Sequence, residues 1–298
     1  MRILLIGGSG FIGSRFASAA AAAGHEVTIV SRSPRPQATP YGWIAGGIDA
    51  LLADPNLIAR ADMLCQFAST TFPATSSLDP VADVTENLIP NIQLLEAMRG
   101  MGASRILYLS SGGAVYGRPE RNPIPEMHTQ RPISSYGIVK GAVERYLGMH
   151  AELHGLQTTI IRPANPYGPG QSAARQQGVI AALLAAARDD REAVIYGDGS
   201  IIRDFIYLDD LCGLLLTALE SGATGVFNAG SGQGASLNEV IDTVESVTGR
   251  KIRRKTLPVR EFDPPAIVLD IGRARDQLGW SPSVPLKEGI ARTWATFA

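Results

Sequence analysis

The chain has 298 residues, 45% of them hydrophobic and 18% charged, so it can bury a large core and is too apolar to be disordered. Its 27 Lys and Arg are balanced by 28 Asp and Glu, which leaves no basic excess for a nucleic-acid backbone. Cys65 and Cys212 lack the spacing of a disulfide framework or a zinc site. No apolar run reaches the ~18 residues of a membrane span, and glycines interrupt the apolar N-terminus that a signal peptide would need. We therefore expect a cytoplasmic protein with no nucleic-acid or membrane partner.

The first half of the chain alternates short apolar runs with helical segments, as βαβ units do. Runs of four or five apolar residues are typical of strands whose two faces are both covered by helices. This pattern predicts an α/β fold: a Rossmann-type, doubly wound parallel sheet that occupies mainly residues 1–165. The predicted strands are 3–6, 27–30, 63–67, 105–109 and 158–161, and the predicted helices are 11–23, 81–101 and 136–154.

Shorter elements follow a loop rich in proline and glycine at 166–170. They predict a smaller C-terminal α/β domain, mainly residues 166–298, with some chain crossing back to the first domain. We expect this second domain to bind the substrate. The predicted helices lie near 175–188, 208–220 and 236–248, with two more after residue 265, and the predicted strands lie near 193–196 and 225–228.

The first predicted strand leads directly into Gly7, Gly10 and Gly13, a G-x-x-G-x-x-G spacing that opens a helix. Glycines allow a tight turn there, and they let backbone N–H groups approach a pyrophosphate at the positive end of the helix. We predict that this loop, together with Phe11 and Ile12, binds a dinucleotide.

The end of the second strand contacts the adenosine ribose in such folds, and an acidic residue there selects NAD. This chain has Ser31 and Arg32 at that position, a neutral donor and a cation that can pair with a phosphate. The cofactor is therefore predicted to be NAD(P), with NADP modestly favoured and NAD the alternative. The competing interpretation is that Arg32 and Arg35 are solvated loop charges that bind no phosphate.

Tyr136 and Lys140 are four residues apart in a predicted helix, which places them on one face about one turn apart. A lysine ammonium and a nicotinamide cation can together depress the pKa of a tyrosine from ~10 toward neutrality. Such a tyrosine takes a proton from a sugar hydroxyl as hydride leaves its carbon. A strand that ends in Ser110 and Ser111 lies between this pair and the glycine loop.

Further segments, together with the glycine loop and the Tyr–Lys helix, make the chain resemble the extended short-chain dehydrogenase/reductase family over its whole length. Within that family it is most similar to the nucleotide-sugar 4-epimerases of the UDP-galactose 4-epimerase type. The resemblance implies that the N-terminal sheet holds NAD(P) and that the smaller domain holds a nucleoside-diphosphate sugar. The segments are SSGGAVYG at 110–117, RPANPYG at 162–168, GDGSIIRDFIYLDD at 197–210, VFNAGSG at 226–232 and LGWSP at 278–282.

The resemblance assigns further site residues position by position. It implies additional cofactor contacts at Phe67, Ala68, Ser69, Asn87, Ser110 and Pro163. It also implies substrate contacts at Asn165, Val194, Tyr196, Arg203, Arg260 and Asp263. Arginine suits a diphosphate because it pairs with it bidentately, and a carboxylate suits the ribose hydroxyls. Salt bridges within the protein, Arg203 with Asp204 and Arg260 with Asp263, are the alternatives.

One position departs from the family pattern. A Ser or Thr that hydrogen-bonds the reacting sugar oxygen usually stands where this chain has Gly112. Either the adjacent Ser111 supplies the hydroxyl, or Tyr136 acts on the substrate unaided. The residues that follow, Gly113 and Ala114, are not the acidic residues that the family's 4,6-dehydratases and decarboxylases carry there, so we exclude those activities.

The leading hypothesis is a reversible nucleotide-sugar 4-epimerase, most simply a UDP-glucose 4-epimerase, with Tyr136, Lys140 and Ser111 as its catalytic residues. An NADPH-dependent 4-ketoreductase, which would release its cofactor at each turnover, is the alternative. A non-catalytic NAD(P)-binding protein is a third possibility. The helices at 81–101 and 136–154 match those through which family members pair, so we also expect a homodimer.

Overall fold

A computed structural model describes residues 1–172, 178–259 and 264–297 of the chain. The chain divides into two compact units, and each unit is built from segments that are separate in the sequence. Unit 1 comprises residues 1–116, 130–162 and 212–227, and unit 2 comprises 117–129, 163–211 and 228–298.

Unit 1 is built around a seven-stranded sheet with the order β10-β6-β5-β4-β1-β2-β3. The neighbouring pairs from β3 to β6 are all parallel, which confirms the predicted Rossmann-type sheet. The strands are β1 Arg2–Ile6, β2 Glu26–Ser31, β3 Gly42–Ala45, β4 Met63–Gln66, β5 Arg105–Leu109, β6 Gln157–Pro163 and β10 Gly225–Ala229.

The strand order reverses between β1 and β4, because the chain leaves β1 toward β2 and later returns to its other side at β4. In such sheets ligands bind outside the carboxyl ends of the strands at this switch point. The accompanying helices are α1 Phe11–Ala22, α2 Ile48–Ala53, α3 Asn56–Ala59, α4 Pro73–Ser76, α5 Pro80–Asp83, α6 Ile89–Gly100, α7 Gly112–Val115 and α8 Ser135–His154.

A five-residue π-helix, Val84–Leu88, joins α5 to α6. A core cluster of apolar side chains packs between the sheet and these helices, with Leu51, Leu94, Met98 and Leu147 at its centre. The burial of both sheet faces explains why β1, β4 and β5 are continuous apolar runs.

Unit 2 contains two small sheets. In the first, β9 pairs in parallel with β7 and β13 and antiparallel with β11; in the second, β8 pairs in parallel with β12. No described helix combines the length and the apolar character needed to cross a membrane. The strands are β7 Asn165–Tyr167, β8 Glu192–Tyr196, β9 Ile202–Tyr207, β11 Gly234–Ser236, β12 Arg253–Leu257 and β13 Ala266–Ile267. The other helices of unit 2 are α9 Val179–Asp189, α11 Leu237–Thr248, α12 Gly272–Leu278 and α13 Leu286–Trp294. Helix α10, Leu208–Ser221, belongs to unit 1 from residue 212 onward.

Candidate active site

The glycine loop lies at the switch point, packed against the start of α1 and the residue after β4. Gly7 has φ +83° and donates its N–H to Val30 at 3.0 Å. A Cβ at Gly7 would lie 2.7 Å from the Ala68 nitrogen, and one at Gly13 would overlap the Gly7 oxygen. Gly10 is the N-cap of α1 and has no side chain to cover its first amides. The glycines thus allow the backbone to pack closely here, and no side chain caps the first amides of α1, which are the donors that a dinucleotide diphosphate needs, so the loop fits that group.

The carboxyl end of β2 carries Ser31, as predicted, with no acidic residue beside it. The Ser31 hydroxyl is buried and lies 2.6 Å from the hydroxyl of Ser9 in the glycine loop. It also accepts the N–H of Ser33 at 3.0 Å. Arg32 is exposed. This end of the sheet therefore presents hydroxyls and an exposed cation, which are compatible with a phosphate.

Tyr136 and Lys140 lie one turn apart on α8, which begins where Ser134 accepts the N–H of Gly137 at 3.2 Å. The Lys140 Nζ lies 5.7 Å from the centre of the Tyr136 ring. It donates to the Leu109 carbonyl, at the end of β5, at 2.8 Å. The predicted pair is therefore assembled, and the last carbonyl of β5 holds its buried ammonium.

Burial shifts the pKa of both members of the pair. Desolvation raises the pKa of Tyr136 to about 12, although a hydrogen bond from Ser111 lowers it and the charge of Asp83 raises it further. Desolvation also lowers the pKa of Lys140 to about 8, against the charges of Glu144 and Asp83. In the protein without cofactor, burial thus outweighs the hydrogen bond from Ser111 at the phenol, and the pKa of Tyr136 lies above that of free tyrosine.

The structure favours one of the two expectations for the missing hydroxyl. Gly112 is the first residue of α7 and does not have a positive φ, so no left-handed backbone requires glycine there. The Ser111 side chain is close enough to Tyr136 for hydrogen bonding between them to lower the pKa of the phenol. Ser111 is thus the hydroxyl that stands beside the phenol.

The predicted cofactor residues after β4 have varied surroundings. The Phe67 ring packs on Phe16 of α1, with centroids 5.1 Å apart. Ala68 donates its N–H to the buried Gln66 side chain at 3.0 Å, and the Ser69 hydroxyl donates to the Thr71 carbonyl. Asn87, in the π-helix, accepts the N–H of Thr70 at 2.9 Å. Pro163 is the last residue of β6.

The predicted substrate residues that the structure describes all belong to unit 2. Asn165 begins β7 and donates its side-chain amide to the Asp204 carbonyl at 2.8 Å. Arg203 of β9 donates to the Ile202 and Pro264 carbonyls, each at 2.8 Å. Val194, half-exposed, and Tyr196 lie on one face of β8. The predicted clamp residues Arg260 and Asp263 lie outside the described residues.

Residues 3–230 match the model of the NAD dependent epimerase/dehydratase family. This chain belongs to that family. It is 34% identical to a UDP-glucose 4-epimerase of Mycolicibacterium smegmatis over 98% of this chain and 97% of that protein. It is 31% identical to a dTDP-4-dehydro-6-deoxyglucose reductase of Escherichia coli over 97% and 95%. The Thermus thermophilus UDP-glucose 4-epimerase in complex with NAD superposes with a TM-score of 0.90, at 30% identity, over 100% of this chain and 99% of that one.

A buried ion pair that the sequence did not indicate lies next to Ser110 in this family member. Glu144 accepts from the Ser110 hydroxyl at 2.5 Å and from Arg162 Nε at 3.0 Å, and Arg162 also donates to the Tyr116 hydroxyl at 2.8 Å. Ser110, predicted to contact cofactor, thus directs its hydroxyl to Glu144. One signal was available: the charged Arg162 directly follows the apolar Ile160 and Ile161, and Glu144 lies one turn after Lys140.

A second buried carboxylate, Asp83, was also missed. It ends α5 and accepts a hydrogen bond from Ser135, the residue before Tyr136, at 2.7 Å. In the sequence it lies near the start of the predicted helix at 81–101, where an acidic residue is common, so nothing marked it as buried.

Proposed function

We propose that this family member is a UDP-sugar 4-epimerase, with UDP-glucose and UDP-galactose as the first substrates to test. The observation that carries the proposal is the Tyr136–Lys140 pair, assembled in the unit that holds the glycine loop and in hydrogen-bond contact with Ser111. The activity for which the M. smegmatis relative is named supports the sugar and the nucleotide.

Each residue of the pair has a distinct role in the proposed reaction. A bound nicotinamide cofactor would supply reversible hydride transfer at C4 of the sugar. Tyr136 Oη takes the proton of the C4 hydroxyl and gives it back in the second half of the reaction. Lys140 stabilises the phenolate by its charge. The Ser111 hydroxyl, already bonded to Tyr136, orients the sugar oxygen.

Residues of unit 2 supply the proposed contacts to the substrate. Arg203 has guanidinium donors suited to the diphosphate, and Asn165 adds an amide. Val194 and Tyr196 of β8 are proposed to lie against the nucleobase. Arg260 and Asp263 remain predicted contacts to the second phosphate and the ribose.

The choice between NAD and NADP is a separate proposal. The end of β2 favours NADP modestly, because Ser31 and Arg32 stand where an acidic residue would repel a 2′-phosphate. NAD, which the Thermus thermophilus structure contains, is the alternative.

A 4-ketoreductase is the second candidate, favoured by the Escherichia coli relative named as a reductase. Incubation of the purified protein with UDP-glucose and no added cofactor separates the two. An epimerase forms UDP-galactose over many turnovers, whereas a reductase forms none. In a second incubation, with NADPH and a 4-keto sugar nucleotide, a reductase consumes NADPH in proportion to the keto sugar. Tightly bound cofactor with neither reaction would leave the non-catalytic binding protein.

We also propose that the protein is a homodimer. The helices at 80–100 and 135–154 pack on each other and expose apolar side chains to solvent. The exposed apolar residues are Val81, Ile89, Ile138, Met149 and Leu153. An uncovered apolar surface of this kind is typical of a face that binds another protein.

A further inference from the structure

Asp83 is a fully buried carboxylate, with 0% of its surface exposed. Three side chains from three segments donate to it: Thr71 to Oδ1 at 2.6 Å, Asn87 to Oδ1 at 3.0 Å and Ser135 to Oδ2 at 2.7 Å. A buried ionised group is costly unless its oxygens are hydrogen-bonded, and here both are. All three donors are neutral, so they fix the carboxylate without cancelling its charge.

This carboxylate stands at the base of the catalytic helix. Ser135 is the first residue of α8 and immediately precedes Tyr136, whose N–H donates to the Ser76 hydroxyl at 3.0 Å. Helix α5, which Asp83 ends, packs against α8. The first turn of α8 therefore donates two hydrogen bonds to the segment between β4 and the π-helix, and these bonds hold it in place.

The other charged and titratable groups around Tyr136 and Lys140 are an ion-paired carboxylate and a tyrosine. On α8, Glu144 lies one turn beyond Lys140 but forms an ion pair with Arg162 at 2.5 Å. On β5, the Tyr108 ring lies 4.9 Å from Lys140 Nζ. Within the part of the chain that the structure describes, Asp83 is thus the carboxylate whose charge reaches Tyr136 and Lys140 without a guanidinium attached to it.

We propose that Asp83 is a positioning residue for the Tyr136–Lys140 pair: neutral donors fix its buried carboxylate at the first turn of α8, where it accepts from Ser135, the residue before Tyr136. In the protein without cofactor, this charge raises the pKa of both groups. The proposal deepens the proposed function, but its first test needs neither substrate nor turnover.

The test is the titration of Lys140 by NMR in protein labelled with ¹³C at lysine Cε. The chain has four lysines, and the other three, Lys251, Lys255 and Lys287, are exposed, so the spectrum is simple and Lys140→Arg assigns the signal. We expect a midpoint near 8. In Asp83→Asn the midpoint should fall by about one pH unit, because a negative charge near the ammonium is lost.

Asp83→Asn removes the charge but can keep the hydrogen bonds. Its Oδ1 can still accept from Thr71 and Asn87, and its amide can donate to Ser135 once that hydroxyl turns. The matched control is Asp79→Asn, which removes a charge at the exposed N-cap of the same helix and should leave the Lys140 midpoint unchanged. A shift in Asp83→Asn no larger than in Asp79→Asn would overturn the proposal. Asp83→Ser, neutral and still an acceptor, gives the same comparison if the asparagine variant does not fold.

A second measurement links the inference to catalysis. Loss of the charge lowers the pKa of Tyr136 as well, so both limbs of the pH profile of kcat should move to lower pH in Asp83→Asn. A hydrogen-bonding role alone would lower the rate without moving the limbs. A shifted Lys140 titration in a protein with no epimerase activity would refute the proposed function and leave the role of Asp83 intact.

Discussion

Tyr136 is the side chain on which the proposed proton transfer depends, since its Oη is the atom that accepts and returns the proton. Tyr136→Phe removes only that oxygen, and we expect turnover to fall by ~10²-fold or more. Dinucleotide affinity should stay within a few-fold of wild type, because the glycine loop is untouched. Steady-state kinetics with a fluorescence titration of the cofactor would measure both. Activity within a few-fold of wild type would show that another group is the base.

Ser111 and Gly112 test which hydroxyl assists Tyr136. Because Ser111 already hydrogen-bonds the phenol, Ser111→Ala should reduce turnover by ~10²-fold with little change in folding. Gly112→Ser restores a hydroxyl at the position where the family usually has one, and φ at this helical residue is not positive, so the backbone does not require glycine. We expect it to be tolerated and to recover part of the activity in the Ser111→Ala background. Near-wild-type rates for Ser111→Ala would mean that Tyr136 acts unaided.

Ser31 tests the cofactor proposal. Ser31→Asp would place a carboxylate beside the adenosine ribose, where it repels a 2′-phosphate and accepts from a 2′-hydroxyl. It can also keep the contacts to the Ser9 hydroxyl and the Ser33 N–H. NADP affinity should therefore fall relative to NAD, as measured by calorimetric titration with each dinucleotide. A tenfold preference of the wild-type protein for NAD would contradict our interpretation of this strand end.

The sequence predicted the residues whose spacing carries chemistry and missed those that support them. The glycine spacing and the four-residue Tyr136–Lys140 spacing each correspond to a local geometry, so the sequence alone could indicate them. Glu144 and Asp83 depend on partners far along the chain, Arg162 and Ser135. Nothing local shows that such a carboxylate is buried, because burial is set by which segments the fold brings together.

At the scale of elements, the long and strongly patterned segments were predicted correctly. All five predicted strands of the first half lie within two residues of those observed, and helices α1 and α8 match within one residue. The predicted helix at 81–101 is observed as three consecutive segments, α5, the π-helix and α6. The sequence did not indicate the π-helix, because one inserted residue changes the spacing of the apolar residues too little to be recognised. Strand β3 was missed, because its four residues, half of them exposed, carry no continuous apolar run.

The junction between β1 and α1 yields a prediction about one element. A Cβ at Gly13 would overlap the Gly7 oxygen and lie 2.8 Å from the Gly8 Cα, so the loop would have to open. We expect Gly13→Ala to lower the free energy of unfolding by ~1–3 kcal/mol. It should also weaken dinucleotide binding.

Gly148→Ala is the matched control for that experiment. Gly148 lies inside α8, and a Cβ added there would meet no described atom within 4 Å, so alanine should stabilise the protein by ~0.5–1 kcal/mol. Urea unfolding measures both variants. Equal stability of the Gly13 and Gly148 variants would show that the loop is less tightly packed than described.

At the scale of the whole molecule, each unit is assembled from separate stretches of chain. The dinucleotide loop and the Tyr–Lys pair belong to unit 1, and the described residues proposed to bind substrate belong to unit 2. The order of segments along the chain therefore does not show which unit each segment joins. Residues 117–129 belong to unit 2 and residues 212–227 to unit 1, although the segments on either side of each belong to the other unit. Long-range strand pairing, such as β10 beside β6, fixes that membership.

The proposed homodimer gives the last prediction. Leu153, near the end of α8, is 66% exposed, and it lies on the helix that also exposes Ile138 and Met149. Burying such side chains against a second copy removes apolar surface from water, so the wild-type protein should have twice the 31.6 kDa mass of the chain. Leu153→Glu would place a charge in that contact and should shift the mass measured by light scattering at micromolar concentration toward the monomer. Met127→Glu, at an exposed residue outside both helices, should leave the mass unchanged. A monomeric wild-type protein, or equal masses for the two variants, would rule out pairing through these helices.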